Sequence, residues 1–187
     1  MQNKFKNKYR ISSARLQTWD YSNNGAYFIT ICTQNRHHFF GNINNGIMQL
    51  SEIGKLAEQF WHEIPSHFQM VKLGNFVVMP NHIHGILIID KTNDEPFVET
   101  RQCFVSTIKT NTIIGSSRFQ NQGKNTISSI VGSYKSIVTK ISRQTTPNFA
   151  WQSRFHDHII RNSKSFENIQ NYIEQNPLNW SNDKFHT

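Results

Sequence analysis

His82 and His84 stand one residue apart, inside the apolar run HIHGILII. On a strand, residues i and i+2 project from the same face, so the two imidazoles would stand side by side. Paired imidazoles make half of a divalent-metal site. Ile83 would point the other way, into a core. By spacing alone the pair could equally be two unrelated histidines. Tyr172 and Asn176 are i and i+4 near the C-terminal end, and on a helix they share one face. A carboxamide oxygen is a hard metal ligand, and a tyrosine hydroxyl one turn away can attack a phosphorus. The same spacing also suits a packing tyrosine followed by a helix-terminal asparagine before Pro177. His156-Asp157-His158 repeats the His-x-His pattern. Those two histidines could bind metal, donate hydrogen bonds, contact phosphate or be structural. Tyr134 lies on an apolar helical stripe and Tyr27 in a strand, so both read as core, with the Tyr134 hydroxyl satisfied.

These residues need elements to hold them. Ser22-Asn23-Asn24-Gly25 is a turn signal. Residues 26–33 then read as a strand rich in β-branched and aromatic side chains. Asn44-Asn45-Gly46 reads as a hairpin-like turn. Ser51 can cap a helix over 52–64, with Ile53, Leu56, Phe60 and Ile64 on one face and Pro65 as its stop. Residues 68–79 and 82–89 read as a β-hairpin about Pro80-Asn81. Thr126 caps a second helix whose stripe is Ile127, Ile130, Val131, Tyr134, Ile137, Val138 and Ile141. Phe149 to Ile160 reads as a fourth strand. Ser163 or Ser165 opens a last helix through about Gln175, with Phe166, Ile169 and Ile173 inward and Pro177 behind it. The order β-α-β-β-α-β-α predicts an α+β fold: the ferredoxin-like split βαβ plan with an antiparallel, RRM-like sheet, plus a C-terminal helix carrying Tyr172.

The chain reads as a single domain over residues 1–187, with a basic arm over 1–25 and a flexible insert over 91–125. It has 187 residues, enough for a core without staples. Its two cysteines, Cys32 and Cys103, cannot build a disulfide scaffold. No apolar run is long enough to cross a membrane. A reducing cytoplasmic location is expected, with association to the nucleoid. The net charge is +8. Residues 1–19 carry Lys4, Lys6, Lys8, Arg10 and Arg15 and no acid, and residues 100–156 carry eight basic residues and no acid. Such segregation suits a polyanion.

Four segments resemble a known family, the single-tyrosine HUH transposases, and within it the REP-associated tyrosine transposases. They are YSNNGAYFITICTQNR from Tyr21, VVMPNHIHGI from Val77, WQSRFHDHIIRN from Trp151 and YIEQNP from Tyr172. They occur in the family's order and span most of the chain; 91–125 lacks a clear counterpart. The resemblance implies Tyr172 as nucleophile and a metal site of His82, His84 and Asn176, taking Mg²⁺ or Mn²⁺. Asparagine at position 176, where insertion-sequence relatives tend to have glutamine, points to the REP-associated branch. The implied activity is cleavage and rejoining of single-stranded or hairpin DNA, on REP-type palindromes, through a 5′-phosphotyrosine. Lys4, Lys6, Lys8, Arg10, Arg15, Arg36, Lys135, Lys140, Arg154 and Arg161 are the candidate DNA contacts. His156 and His158 are candidate phosphate contacts or supports of the metal site. Relatives occur as dimers and as monomers, and a monomer is expected here. Two other classes compete. A binding module of the same fold, non-catalytic or domesticated, would keep the basic charge without needing Tyr172, His82, His84 and Asn176 together. A nuclease that activates water would need more carboxylates than the sequence offers.

Overall fold

The computed structural model describes residues 4–5, 8–9, 19–91 and 125–186. The expected insert therefore lies outside the described residues, apart from its two ends. So does most of the arm. There, β1 (Lys4–Phe5) and β2 (Lys8–Tyr9) pair antiparallel, an element that composition did not suggest.

The central sheet has four strands: β3 (Gly25–Cys32), β6 (Val71–Met79), β7 (His82–Ile89) and β8 (His156–Ile160). Their order is β6-β7-β3-β8, and all neighbours run antiparallel. This is the split βαβ arrangement expected from the element order. Between β3 and β6 the chain makes a hairpin, β4 (Gly41–Asn44) and β5 (Ile47–Leu50). Its two-residue turn has Asn45 and Gly46 both at positive φ, 50° and 76°. That is the pattern whose twist suits paired strands, and asparagine and glycine tolerate it best.

Helix α1 (Glu52–His62) starts at Ser51, whose hydroxyl accepts the Gly54 amide. It ends before Pro65, and a single extra turn, α2 (Ile64–His67), carries that proline in its first turn. The buried residues of α1 are Ile53, Gly54, Ala57 and Trp61, whereas Leu56 and Phe60 are only half-buried. Ile53 and Ile64 are buried as expected, and the rest of the buried stripe is Ala57 and Trp61, with the Tyr134 hydroxyl donating to the Ala57 carbonyl. Helix α3 (Ile127–Thr145) is capped by Thr126 as expected, and Ile127, Ile130, Val131, Tyr134 and Val138 are buried. Ile137 and Ile141 are half-buried, and Ser142 is buried in their place.

The fourth strand is shorter than its apolar run. Phe149 is buried in a loop, Trp151 makes one bridge to Thr33, and only His156–Ile160 joins the sheet. The aromatic cluster Phe39, Phe40, Phe149 and Trp151 explains why apolar residues continue ahead of β8. Helix α4 (Ser163–Gln175) begins at Asn162, whose side chain accepts the Ser165 amide. The cap is thus Asn162 and not a serine. Trp19 and Tyr21 pack on the core, and the Trp19 indole donates to the Tyr27 hydroxyl, so the last part of the expected arm is docked.

The sheet separates two cores. On one face Tyr27, Ile29, Ile31, Ile83, Leu87 and Ile89 pack against α1 and α3. Burying each such side chain contributes roughly 1.5–3 kcal/mol. Gly85 belongs to this face, where a Cβ would collide with the Trp61 ring. On the other face Ile86, Ile160 and Ile173 form a smaller cluster with Ala26, Phe28, Val77, Phe166 and Ile169. That second cluster docks α4.

Candidate active site

Strand alternation places His82 and His84 on the α4 face, since Ile83 is fully buried on the other. Both histidines are buried, at 0% and 1% exposure. β7 lies inside the sheet, flanked by β6 and β3, so water reaches neither ring from the side. The two Nε2 atoms are 3.1 Å apart. His82 Nδ1 lies 2.8 Å from Asn81 Oδ1, and His84 Nδ1 lies 2.9 Å from Thr30 Oγ1. The Phe28 ring stacks on His84 at 5.1 Å.

Burial first, then the neighbouring His84 and the Arg36 and Lys184 charges, push the His82 pKa down to about 2. Burial and the Lys184 charge push His84 down to about 3. Both rings are therefore neutral at physiological pH, and a neutral imidazole has a lone pair to give.

The second cluster seats α4 so that Tyr172 meets His84. The Tyr172 hydroxyl is 3.3 Å from His84 Nε2, and its ring stands edge-on to Phe28 at 6.0 Å. Tyr172 remains 42% exposed. Partial burial and the Asp183 charge raise its pKa, while a hydrogen bond from Asn176 pulls the other way. Asn176, one turn on, is 2% exposed, and its Oδ1 has no hydrogen-bond partner. A buried amide oxygen without a partner costs about 1–3 kcal/mol, which a cation at that oxygen would offset. The structure thus brings His82, His84, Tyr172 and Asn176 to one place.

It also brings one acid that sequence reasoning passed over. A ligand atom of Asp183 lies with those of His82 and His84 in a group spanning no more than 4.8 Å. Asp183 belongs to a short C-terminal strap that follows α4. Phe185 packs on His82 at 4.5 Å, and its carbonyl accepts from Asn81 Nδ2. A lone acid in a polar tail gives no sequence signal. Asn81 did have one, its place directly before His82. Two neutral imidazoles and a carboxylate are a donor set that fits a divalent cation of borderline or hard character, and the unpartnered Asn176 amide oxygen lies one helical turn from Tyr172.

The candidate DNA contacts fall into three groups. Arg36 lies beside the site, with Nη1 donating to the Lys184 carbonyl and its guanidinium 4.7 Å over the Phe185 ring. It has a positive φ of 56°, a costly backbone state for a side chain of this size. Lys135 is half-buried and donates to the Gln152 carbonyl. Arg154 and Arg161 are exposed near the two ends of β8, and Arg161 lines a pocket with Tyr21, His158 and Asn162. His156 and His158 are exposed on β8. His156 pairs with Thr30 across the sheet, so it shares a face with His84 but stands one strand away. Lys140 is exposed on α3, across the sheet from the histidines. Lys6, Arg10 and Arg15 lie outside the described residues. Of Lys4 and Lys8 only the strand backbone is described.

Comparison with known proteins adds to this geometry. No family model matches the sequence. An uncharacterized protein of Haemophilus influenzae is 36% identical over 177 residues, which cover 93% of this chain and 92% of that protein. The two belong to one family. Among solved structures, a REP-associated tyrosine transposase bound to a REP hairpin superposes with a TM-score of 0.57 at 20% identity. The match covers 93% of this chain and 77% of that one. This chain has the fold of that REP-associated tyrosine transposase. Within that transposase fold, the pair His82 and His84 occupies an interior strand and Tyr172 comes from the helix packed over it. Among the described residues, no helix is long and apolar enough to cross a membrane.

Proposed function

We propose that this chain is a metal-dependent single-strand DNA transferase that cuts beside a hairpin and holds one DNA end on Tyr172. The observation that carries the reading is the Tyr172 hydroxyl, 3.3 Å from His84 Nε2 within the same chain. The fold neighbour's bound REP hairpin supports hairpin DNA as the substrate class. Tyr172 reaches His84 of its own chain, so a monomer holds the whole set of site residues, and we read the chain as acting in that form on chromosomal DNA in the cytoplasm.

His82, His84 and Asn176 would hold the ion, with Asp183 in reach. Mg²⁺ or Mn²⁺ bound there would polarise the scissile phosphate as a Lewis acid and bring positive charge close to the tyrosine. The chain's own residues do the rest. Tyr172 Oη forms a bond to phosphorus as the bond from phosphorus to the 3′ oxygen breaks. The tyrosine proton passes to solvent, which reaches this half-exposed side chain, and the leaving 3′ oxygen takes a proton from solvent. The product is a 5′-phosphotyrosine and a free 3′-hydroxyl. One phosphoester replaces another, so a 3′-hydroxyl can reverse the step without an external energy source. The raised Tyr172 pKa keeps the phenol neutral at rest. Arg36, Lys135, Arg154 and Arg161, with His156 and His158, would hold the strand's phosphates, and the basic N-terminal residues and Lys140 would add longer-range attraction.

The test is cleavage of labelled hairpin DNA from the gene's own flanks in Mn²⁺, comparing the wild type with Tyr172→Phe. A covalent protein–DNA band is expected for the wild type alone, and EDTA should abolish it. A band persisting in Tyr172→Phe would move the nucleophile elsewhere. Tight binding without any band would leave a binding module. Tyr134 is a poor substitute, since its buried hydroxyl donates to the Ala57 carbonyl.

A further inference from the structure

Two buried polar side chains touch the rear nitrogens of the site histidines. Thr30 is 4% exposed and Asn81 is fully buried. We propose that Thr30 and Asn81 are positioning residues, each holding the Nδ1 of one histidine so that both Nε2 atoms turn toward a shared divalent cation. The inference rests on the metal-dependent reading above.

The two partners differ in chemistry, and the difference matters. Asn81 Nδ2 donates to the Phe185 carbonyl, which fixes the amide orientation and leaves Oδ1 facing His82. An amide oxygen only accepts, so His82 carries its proton on Nδ1 and presents a bare Nε2. The cross-strand neighbour of His82 is Cys32, whose sulfur accepts weakly. The amide of Asn81, at the turn, supplies what the neighbouring strand does not. His84 pairs instead with Thr30 across the strands. A hydroxyl both donates and accepts, and His84 needs both. With no cation, two bare Nε2 atoms at 3.1 Å would repel, so one proton lies between them. Asn81 denies that proton to His82, so it sits on His84 Nε2 while Thr30 donates to His84 Nδ1. With a cation held at Nε2, His84 would carry its one proton on Nδ1 and donate it to the Thr30 hydroxyl. The ring keeps one proton throughout. The stacked Phe28 ring keeps the His84 plane fixed while this happens.

Partners of this kind typically change metal affinity by about 10- to 100-fold when removed. The metal-free full chain is titrated with Mn²⁺, and the free ion is read by electron paramagnetic resonance, with thermal unfolding followed alongside. Thr30→Val and Asn81→Ala should each weaken Mn²⁺ binding by about 10- to 100-fold. Thr30→Ser and Asn81→Asp, which keep an acceptor, should bind far closer to the wild type than their partners do. Imidazole ¹⁵N spectra of the metal-free wild type should place the His82 proton on Nδ1, and Asn81→Ala should move it toward Nε2. If folded Thr30→Val and Asn81→Ala bind Mn²⁺ as the wild type does while His82→Ala does not, positioning is overturned and the metal site stands. A His82 proton found on Nε2 in the wild type overturns the Asn81 assignment without any metal. If the wild type takes up no Mn²⁺, or His82→Ala binds it equally well, the metal reading itself falls and this inference with it.

Discussion

The sequence contains the His-x-His pattern twice in strands, and the fold treats the two copies differently. His82 and His84 lie on β7, inside the sheet, buried, with both Nδ1 atoms engaged and both Nε2 atoms converging. His156 and His158 lie on β8, at the sheet edge, exposed to solvent. Strand alternation puts each pair on a single face, so spacing cannot tell them apart. Neighbours do. A ring flanked by two strands and covered by α4 and the C-terminal strap loses its water, stays neutral and keeps one orientation. A ring on an edge strand keeps its water and its freedom. Spacing alone does not separate the two pairs; loss of solvent and a tie on the second nitrogen do, and a tied second nitrogen is what orients a histidine to act as a metal ligand.

Substitution should separate the pairs most sharply in catalysis. His82→Ala or His84→Ala should lower Mn²⁺-dependent formation of the covalent DNA adduct by at least about a hundredfold, more than loss of a supporting partner. His156→Ala under the same assay should retain the adduct, and an equal loss there would erase the distinction drawn here.

Acid stability should separate them next. Below pH 6.5 the unfolded chain protonates its histidines, while His82 and His84 stay neutral down to about 2 and 3. The unfolded state then binds more protons, so stability rises with pH across this window and is lost as pH falls from 6.5. Each buried histidine contributes a slope of about 1.4 kcal/mol per pH unit. Denaturant unfolding in EDTA between pH 6.5 and pH 4 reads it. The double variant His82→Gln/His84→Gln should flatten the slope whatever its absolute stability, and an unchanged slope would mean the rings are hydrated.

The smallest effect is expected at β8. His156→Ala and His158→Ala should weaken binding of hairpin DNA by roughly three- to tenfold, the worth of one hydrogen bond. Mn²⁺ affinity should not change. Fluorescence anisotropy and the Mn²⁺ titration read the two quantities, and a larger effect on the metal would make β8 a part of the metal site.

Much of the fold was legible in local pattern. The turn residues Asn45-Gly46, the caps Ser51 and Thr126, and the hairpin about Pro80-Asn81 all act through near neighbours, and the structure has them where expected. The start of β8 was not legible, because Phe149 and Trp151 are apolar for a loop cluster with Phe40 and not for a strand. Ile53 of α1 and Ile64 of α2 are buried as expected, but Ala57 and Trp61 were missed for a related reason: they are buried by what packs on them. In the site, Tyr172, Asn176, His82 and His84 stand out as candidates by type and spacing, but spacing fits packing roles equally, and their site roles come from the resemblance to the transposase family. Asp183 and Thr30 do not, since each meets its histidine through contacts that no local period marks, whereas Asn81 is flagged only by its place directly before His82.

The sequence by itself determined parity. It put His82 and His84 on one side of a strand, with Ile83 opposed, and Tyr172 and Asn176 on one side of a helix. Those relations follow from backbone geometry over a few residues and hold in any fold that keeps the element. Only the tertiary structure decided which strand lies inside the sheet, which face α4 covers, and that the tyrosine hydroxyl stops 3.3 Å from His84 Nε2. Those depend on burial and distance between segments up to 88 residues apart in the chain. Packing of the whole domain sets both, and with them the neutral state of the two imidazoles.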